Sequence, residues 1–297
     1  MPDYIRKFNI IVSIGVLACI AFVLAVPRAI EPCRMSQMDD SESYIRADSL
    51  QGVDEAVILD ARQEADNTYG KETKSADDYF FQLLGIYECC LDIDTLIIFN
   101  AGGFGWDTVA DAQGWITVMR GIESFIQDSG EKTFVVDFER TRRSIDGVIS
   151  EAASFFGLYP AKSIDLARRI SFLTRNLPEL KVLITGESNG AALVEETFRL
   201  LQDNPRVAAF QTGPTVFQKS IEHERSLVLR HNGEIPDSFS QGDIFTILRS
   251  NLEAALGINQ EHPGDILFYI GAPGHYYTWE YPEFRKIVTE FLSVHLS

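Results

Sequence analysis

Ser188 stands in Gly186-Glu187-Ser188-Asn189-Gly190, where glycines flank a hydroxyl at a spacing of two on each side. Small neighbours allow a sharp turn that lifts the hydroxyl clear of the backbone, and a helix beginning directly after it aims N–H groups at developing negative charge. The chemistry open to such a serine is attack on a carbonyl, with a histidine to take the proton and a carboxylate to orient the histidine. An ordinary glycine-flanked strand-to-helix turn has the same composition, so the neighbouring residues decide.

Those neighbours fit a nucleophile. Lys181 to Thr185 (KVLIT) reads as a buried strand running into the turn, and Ala191-Ala192-Leu193-Val194 starts a helix after it. One donor to an oxyanion would be the backbone N–H of Asn189. A second is expected from Asn100-Ala101-Gly102-Gly103-Phe104-Gly105-Trp106, where Gly102 and Gly103 leave backbone N–H groups unhindered. This loop matches neither Walker A nor Gly-x-Gly-x-x-Gly, and no lysine follows, which argues against phosphate binding.

All five histidines, His223, His231, His262, His275 and His295, lie downstream of Ser188. His275 is the best placed to act as the base: it follows an expected last strand (Asp265–Ile270) through Gly271-Ala272-Pro273-Gly274 and precedes the last helix. The acid is expected just after Ser226–Arg230, in Arg230-His231-Asn232-Gly233-Glu234-Ile235-Pro236-Asp237, where spacing alone does not choose between Glu234 and Asp237. Asp243 reads instead as the N-cap of a helix starting at Ile244.

The elements that must position these residues alternate along the chain. Strand-length apolar runs are expected at Leu96–Phe99, Phe134–Phe138, Val182–Thr185, Val207–Phe210, Leu227–Leu229 and Ile266–Ile270. Helices are expected around Trp115–Ile126, Ile145–Phe156, Ile164–Leu177, Ala191–Leu201, Ile244–Leu256 and Pro282–Leu296. Leu166, Ile170, Leu173 and Leu177 fall on one helical stripe. Continuous rather than alternating apolar runs are what strands buried on both faces require, so the expected class is α/β, a mostly parallel sheet with helices on both faces.

The 297 residues, 45% of them hydrophobic, suffice for a full core. A net charge of −17 disfavours nucleic acid as a partner. Phe8 to Val26 is an uncharged run of about 19 residues, the length of a bilayer-spanning helix. A cleaved signal peptide and a lipoprotein site at Cys19 are the competing explanations. The expected division is a membrane anchor with short flanks (1–34), an acidic stem or cover segment (35–78) and an α/β domain (79–297), the last on the extracytoplasmic side. Only Cys33 is suitably placed to pair with Cys89 or Cys90. No metal-type Cys/His spacing occurs and no cofactor is implied.

From about Leu96 to Pro282 the chain resembles the class 3 lipases of the α/β-hydrolases. Leu183 to Leu193 (LITGESNGAAL) is similar to that family's Gly-His-Ser-Leu-Gly-Gly-Ala-Leu elbow, Phe210-Gln211-Thr212-Gly213-Pro214 to its Phe-Gly-x-Pro turn, and His231 to Pro236 to its His-x-x-Asp-x-Val-Pro segment. Glu187 and Asn189 stand where the family has His and Leu. The resemblance implies an α/β-hydrolase fold and ester hydrolysis, with Glu234 at the acid position. The expected function is therefore a membrane-anchored serine hydrolase acting on a small-molecule or lipid ester. A catalytically silent hydrolase-fold binding module is the alternative, and thioesterase or peptidase action by the same residues is a third.

Overall fold

The computed structural model describes residues 34–36, 50–112, 114–141, 160–216, 218, 220–256, 266–267 and 270–296. In chain order the elements are β1 (Arg34–Ser36), α1 (Glu55–Tyr69), α2 (Lys74–Cys89), β2 (Thr95–Asn100), α3 (Trp115–Asp128), β3 (Thr133–Glu139), α4 (Pro160–Asn176) and β4 (Lys181–Glu187). They continue with α5 (Asn189–Leu201), β5 (Val207–Thr212), β6 (Ser226–Leu229), α6 (Ser238–Gln241), α7 (Ile244–Ala255), β7 (Ile266–Leu267), β8 (Ile270–Gly271) and α8 (Pro282–His295).

Six strands form one parallel sheet in the order β1-β3-β2-β4-β5-β6. The side chains of β2 are buried along its whole length, as are those of β5, which explains their unbroken apolar runs. Within β2, Leu96 and Ile98 face a core built with α1, α2, α4 and α5, while Ile97 and Phe99 face a second core built with α3 and α8. Leu166, Ile170 and Leu173 lie in the first core with Leu177 packed at its margin, so the expected α4 stripe is the buried one. Burying each such side chain contributes roughly 1.5–3 kcal/mol.

The chain leaves β2 toward β3 on one side and returns to β4 on the other. Neighbouring loops at the carboxyl ends of β2 and β4 therefore diverge, which opens a crevice at this switch point. The register Asn100↔Gly186 sets the glycine-rich loop and the Ser188 turn side by side there.

Two expectations change. Ile266–Leu267 and Ile270–Gly271 are not strands of the parallel sheet: as β7 and β8 they pair with each other, antiparallel. An apolar run of that length satisfies a small hairpin as well as a central strand, because periodicity alone does not specify a partner. Within the acidic segment, α1 buries Val57, Ala61 and Ala65 in the first core, and the boundary drawn at residue 78 falls inside α2. Asp54 caps α1 and Thr73 caps α2; Arg175 grips Asp60 through a pair of hydrogen bonds that ties α4 to α1.

Pro282 opens α8, and Asp243 caps α7 through the Thr246 N–H and hydroxyl, both as expected. Ile244, Phe245, Leu248 and Leu252 form an exposed apolar stripe on α7. The expected span Phe8–Val26, the helix around Ile145–Phe156, Cys33 and His262 lie outside the described residues. Among the described residues no helix is long and apolar enough to cross a membrane, and Cys90 is a buried free thiol.

Candidate active site

Ser188 adopts φ 50° and ψ −118°, a left-handed conformation that few side chains tolerate and that costs of order 1–3 kcal/mol. The strain is enforced by space. A Cβ on Gly186 would lie 2.7 Å from the Gly190 backbone, and one on Gly190 would lie 2.1 Å from the Asn100 carbonyl oxygen, so Gly186 lets α5 start this close to β4 and Gly190 lets it lie against the end of β2. The Ser188 N–H donates to the Thr212 carbonyl at 2.9 Å, which ties the turn to the end of β5, and the Ser188 carbonyl accepts the first α5 bond from Ala191. Ser188 itself is buried.

His275 and Asp237 form a direct pair, with Nδ1 2.8 Å from Oδ2. Asp237 is fully buried at the start of α6. Its Oδ1 accepts the N–H groups of Phe239 and Ser240; its Oδ2 accepts the Ser240 hydroxyl at 2.9 Å and the Tyr277 hydroxyl at 2.8 Å. Burial by itself would raise its pKa, but the hydrogen bond and charge of His275, with the hydrogen bonds from the Ser240 N–H and the Tyr277 hydroxyl, hold the carboxyl below the usual range. The Phe239 ring stands edge-on to the imidazole, with centroids 4.9 Å apart. Gly213, at φ 58°, closes the pair from the sheet side: a Cβ there would come 2.6 Å from His275 Cε1 and 3.1 Å from Asp237 Oδ2. Because Gly213 follows Thr212, the residue that binds the Ser188 N–H, one dipeptide at the end of β5 meets both the Ser188 backbone and the His275–Asp237 pair.

Glu234, which the family resemblance put at the acid position, is exposed. Its N–H is held by Asn232 Oδ1 within the turn, and the carboxylate that meets His275 is that of Asp237. The physical reason is direction. The chain reverses between His231 and Pro236, which form a bridge, and only after the reversal does it enter the buried start of α6. Among the other histidines, His223 accepts the Arg225 N–H and packs on Phe198, and His295 packs on Phe291 at the end of α8.

The glycine-rich loop meets the serine through Gly102, where a Cβ would lie 3.2 Å from Ser188 Cβ. The Gly102 N–H donates to Glu187 Oε1 at 3.3 Å. Burial pushes the Glu187 carboxyl up, while the Gly102 hydrogen bond and the nearby charges of His275 and Arg140 oppose that rise. Gly103 is exposed, and open space lies where its Cβ would stand; its contribution is a carbonyl that accepts from Asn189 Nδ2 at 3.1 Å and Arg140 Nη2 at 3.4 Å. Of the two expected loop donors, only Gly102 lies against Ser188.

Sequence reasoning gave no site role to Arg140, Thr212, Gly213, Ser240 or Tyr277, although Thr212 and Gly213 lie in the turn that the family resemblance picked out. Tyr277 had a local signal, two residues beyond His275; Arg140 had none, because it meets residues about forty positions earlier. Among the described residues no group of three or more His, Cys, Asp or Glu is placed to hold a metal ion.

No family model and no curated protein matches the chain. Among solved structures it is similar to a Trichoderma reesei cutinase in complex with a C11Y4 phosphonate inhibitor, at 13% identity and a TM-score of 0.32, over 65% of this chain and 82% of that one.

Proposed function

We propose that this chain is a serine hydrolase of the α/β-hydrolase type that cleaves carboxylic esters. The observation that carries this reading is the His275–Asp237 pair, its carboxylate fully buried, packed on Gly213, one residue from the carbonyl that fixes the strained Ser188 turn. In the proposed cycle the Ser188 hydroxyl attacks the ester carbonyl as His275 Nε2 takes its proton. Asp237 fixes the imidazole with Nδ1–H toward the carboxylate and stabilises the imidazolium. The N–H groups of Asn189 and Gly102 receive the oxyanion. His275 then returns the proton to the departing alcohol, leaving an acyl-serine; water, deprotonated by the same histidine, attacks it to release the carboxylic acid and free Ser188.

Residues 8–26 tether the domain to a membrane in this reading, which favours a lipid or amphipathic ester, with the domain on the extracytoplasmic side. Extraction tests the tether: protein solubilised by alkaline carbonate without detergent defeats it, and protease protection in sealed vesicles reads the side.

Covalent labelling by a fluorophosphonate probe, together with turnover of short and medium-chain p-nitrophenyl esters, tests the chemistry. Labelling and turnover that vanish in Ser188→Ala support it; no labelling of the wild type, or labelling that survives this substitution, defeats it. One observation favours the second reading, a catalytically silent binding module: the Gly102 N–H is already engaged by Glu187. That reading gains if His275→Ala leaves every ester, thioester and amide turnover unchanged.

A further inference from the structure

We propose that Arg140 is the positioning residue of the oxyanion loop, holding the Gly102 N–H toward Ser188 by binding the far side of the same peptide unit; this inference rests on the ester-hydrolase reading. Arg140 follows β3 directly and is buried to 1% exposure. Its Nη1 donates to the Ala101 carbonyl, its Nη2 donates to the Gly103 carbonyl at 3.4 Å, and its own backbone N–H donates to the Gly105 carbonyl at 2.8 Å. The loop wraps the guanidinium closely: at Gly105, φ 73°, a Cβ would stand 2.5 Å from Arg140 Cζ.

The geometry of the peptide unit makes this consequential. In a trans peptide the carbonyl and the N–H point in opposite directions across one plane. With the Ala101 carbonyl turned to Arg140, the Gly102 N–H must face the other way, toward Glu187 Oε1 and Ser188. Glycines at 102, 103 and 105 make alternative peptide orientations cheap, and a loop of such residues has little preference of its own. The guanidinium supplies the preference. Its planar fork engages two carbonyls at once, which a point-charge ammonium does less well. Because Gly103 is also held by Asn189 Nδ2, the loop is pinned at both the β3 and the α5 sides.

A donor that meets the substrate oxygen only as charge develops affects the transition state more than the ground state. Arg140→Met should therefore lower kcat on p-nitrophenyl esters by roughly 10²–10³-fold, the range for losing one oxyanion donor, with KM nearly unchanged. Guanidinium chloride at tens of millimolar should restore part of the kcat of Arg140→Ala by occupying the vacated cavity. Arg140→Lys, which keeps the charge but loses the fork, should lie between Met and wild type. A folded Arg140→Met or Arg140→Lys with wild-type kcat overturns the proposal, as does a loss shared equally by kcat and KM with no guanidinium rescue. The amide proton of Gly102, followed by NMR shift and exchange, is the readout that does not need turnover: it should move in Arg140→Lys, and an unmoved resonance overturns the proposal. An inactive wild type would instead defeat the hydrolase reading, leaving the Gly102 amide to decide the role of Arg140.

Discussion

Asp237 Oδ2 receives three hydrogen bonds, from His275 Nδ1, the Ser240 hydroxyl and the Tyr277 hydroxyl, at 2.8, 2.9 and 2.8 Å. The carboxylate is thus held in place independently of the imidazole. Asp237→Asn should reverse the hydrogen-bond preference at His275 Nδ1, trap the wrong tautomer and lower kcat by about 10⁴-fold. Glu234→Gln should leave kcat within twofold. Parallel steady-state kinetics on the two variants checks the assignment; a large effect at Glu234 and none at Asp237 would reverse it.

The same bonds make stability depend on pH in a defined direction. The folded-state pKa of Asp237 lies below its ordinary value. The ionised carboxylate therefore stabilises the fold above the ordinary carboxylate range, near pH 4, and that contribution is lost as pH falls through the depressed value. In urea melts, the wild type should exceed Asp237→Asn most clearly at pH 6, and the gap should shrink on acidification to pH 3.

Glu187 occupies the Gly102 N–H that a substrate oxyanion would need. Substrate must displace this acceptor, so Glu187→Ala should raise the second-order rate of fluorophosphonate labelling about tenfold. Glu187→Gln, which retains an amide oxygen able to accept, should gain much less. Rates measured side by side decide; a slower Glu187→Ala enzyme would mean that the carboxylate assists.

Away from the site, Asp165 and Arg169 form an ion pair on α4 with almost no solvent exposure, and the guanidinium lies 4.6 Å from the Tyr79 ring centre. Burial pushes the Asp165 carboxyl up, and Arg169 opposes that rise. Arg169→Met should leave the buried Asp165 carboxylate without its ion-pair partner, with only the Tyr69 hydrogen bond and the charge of Arg168 to favour it, and cost about 3 kcal/mol at pH 7. Acid neutralises that carboxylate, so the deficit should narrow toward pH 4 in calorimetric or denaturant melts. A deficit that does not change with pH would place its cause in packing.

How far these features were legible depends on the range of the interactions. β2, β4 and β5 were readable because strands buried on both faces need unbroken apolar runs, and Gly186, Ser188 and Gly190 because steric demands act between neighbours. The hairpin of β7 and β8 was not, since an apolar run carries no information about its partner. That Asp237 rather than Glu234 meets His275 turned on a chain reversal between His231 and Pro236; motif spacing counts residues and ignores direction. Arg140 escaped notice for a plainer reason: its role is written in carbonyls on another strand's loop.

The pairing of β2 with β4 joins segments some 85 residues apart in the chain, and the Gly190 backbone sits directly against the Asn100 carbonyl. Parallel pairing at that separation forms only after long-range loop closure has been compensated. The Ser188 turn and its glycine loop are therefore brought together by the same long-range pairing. On the hydrolase reading, a chain lacking that pairing would carry the serine without its reactivity, so the fraction of molecules that a fluorophosphonate can tag should serve as a census of complete folding.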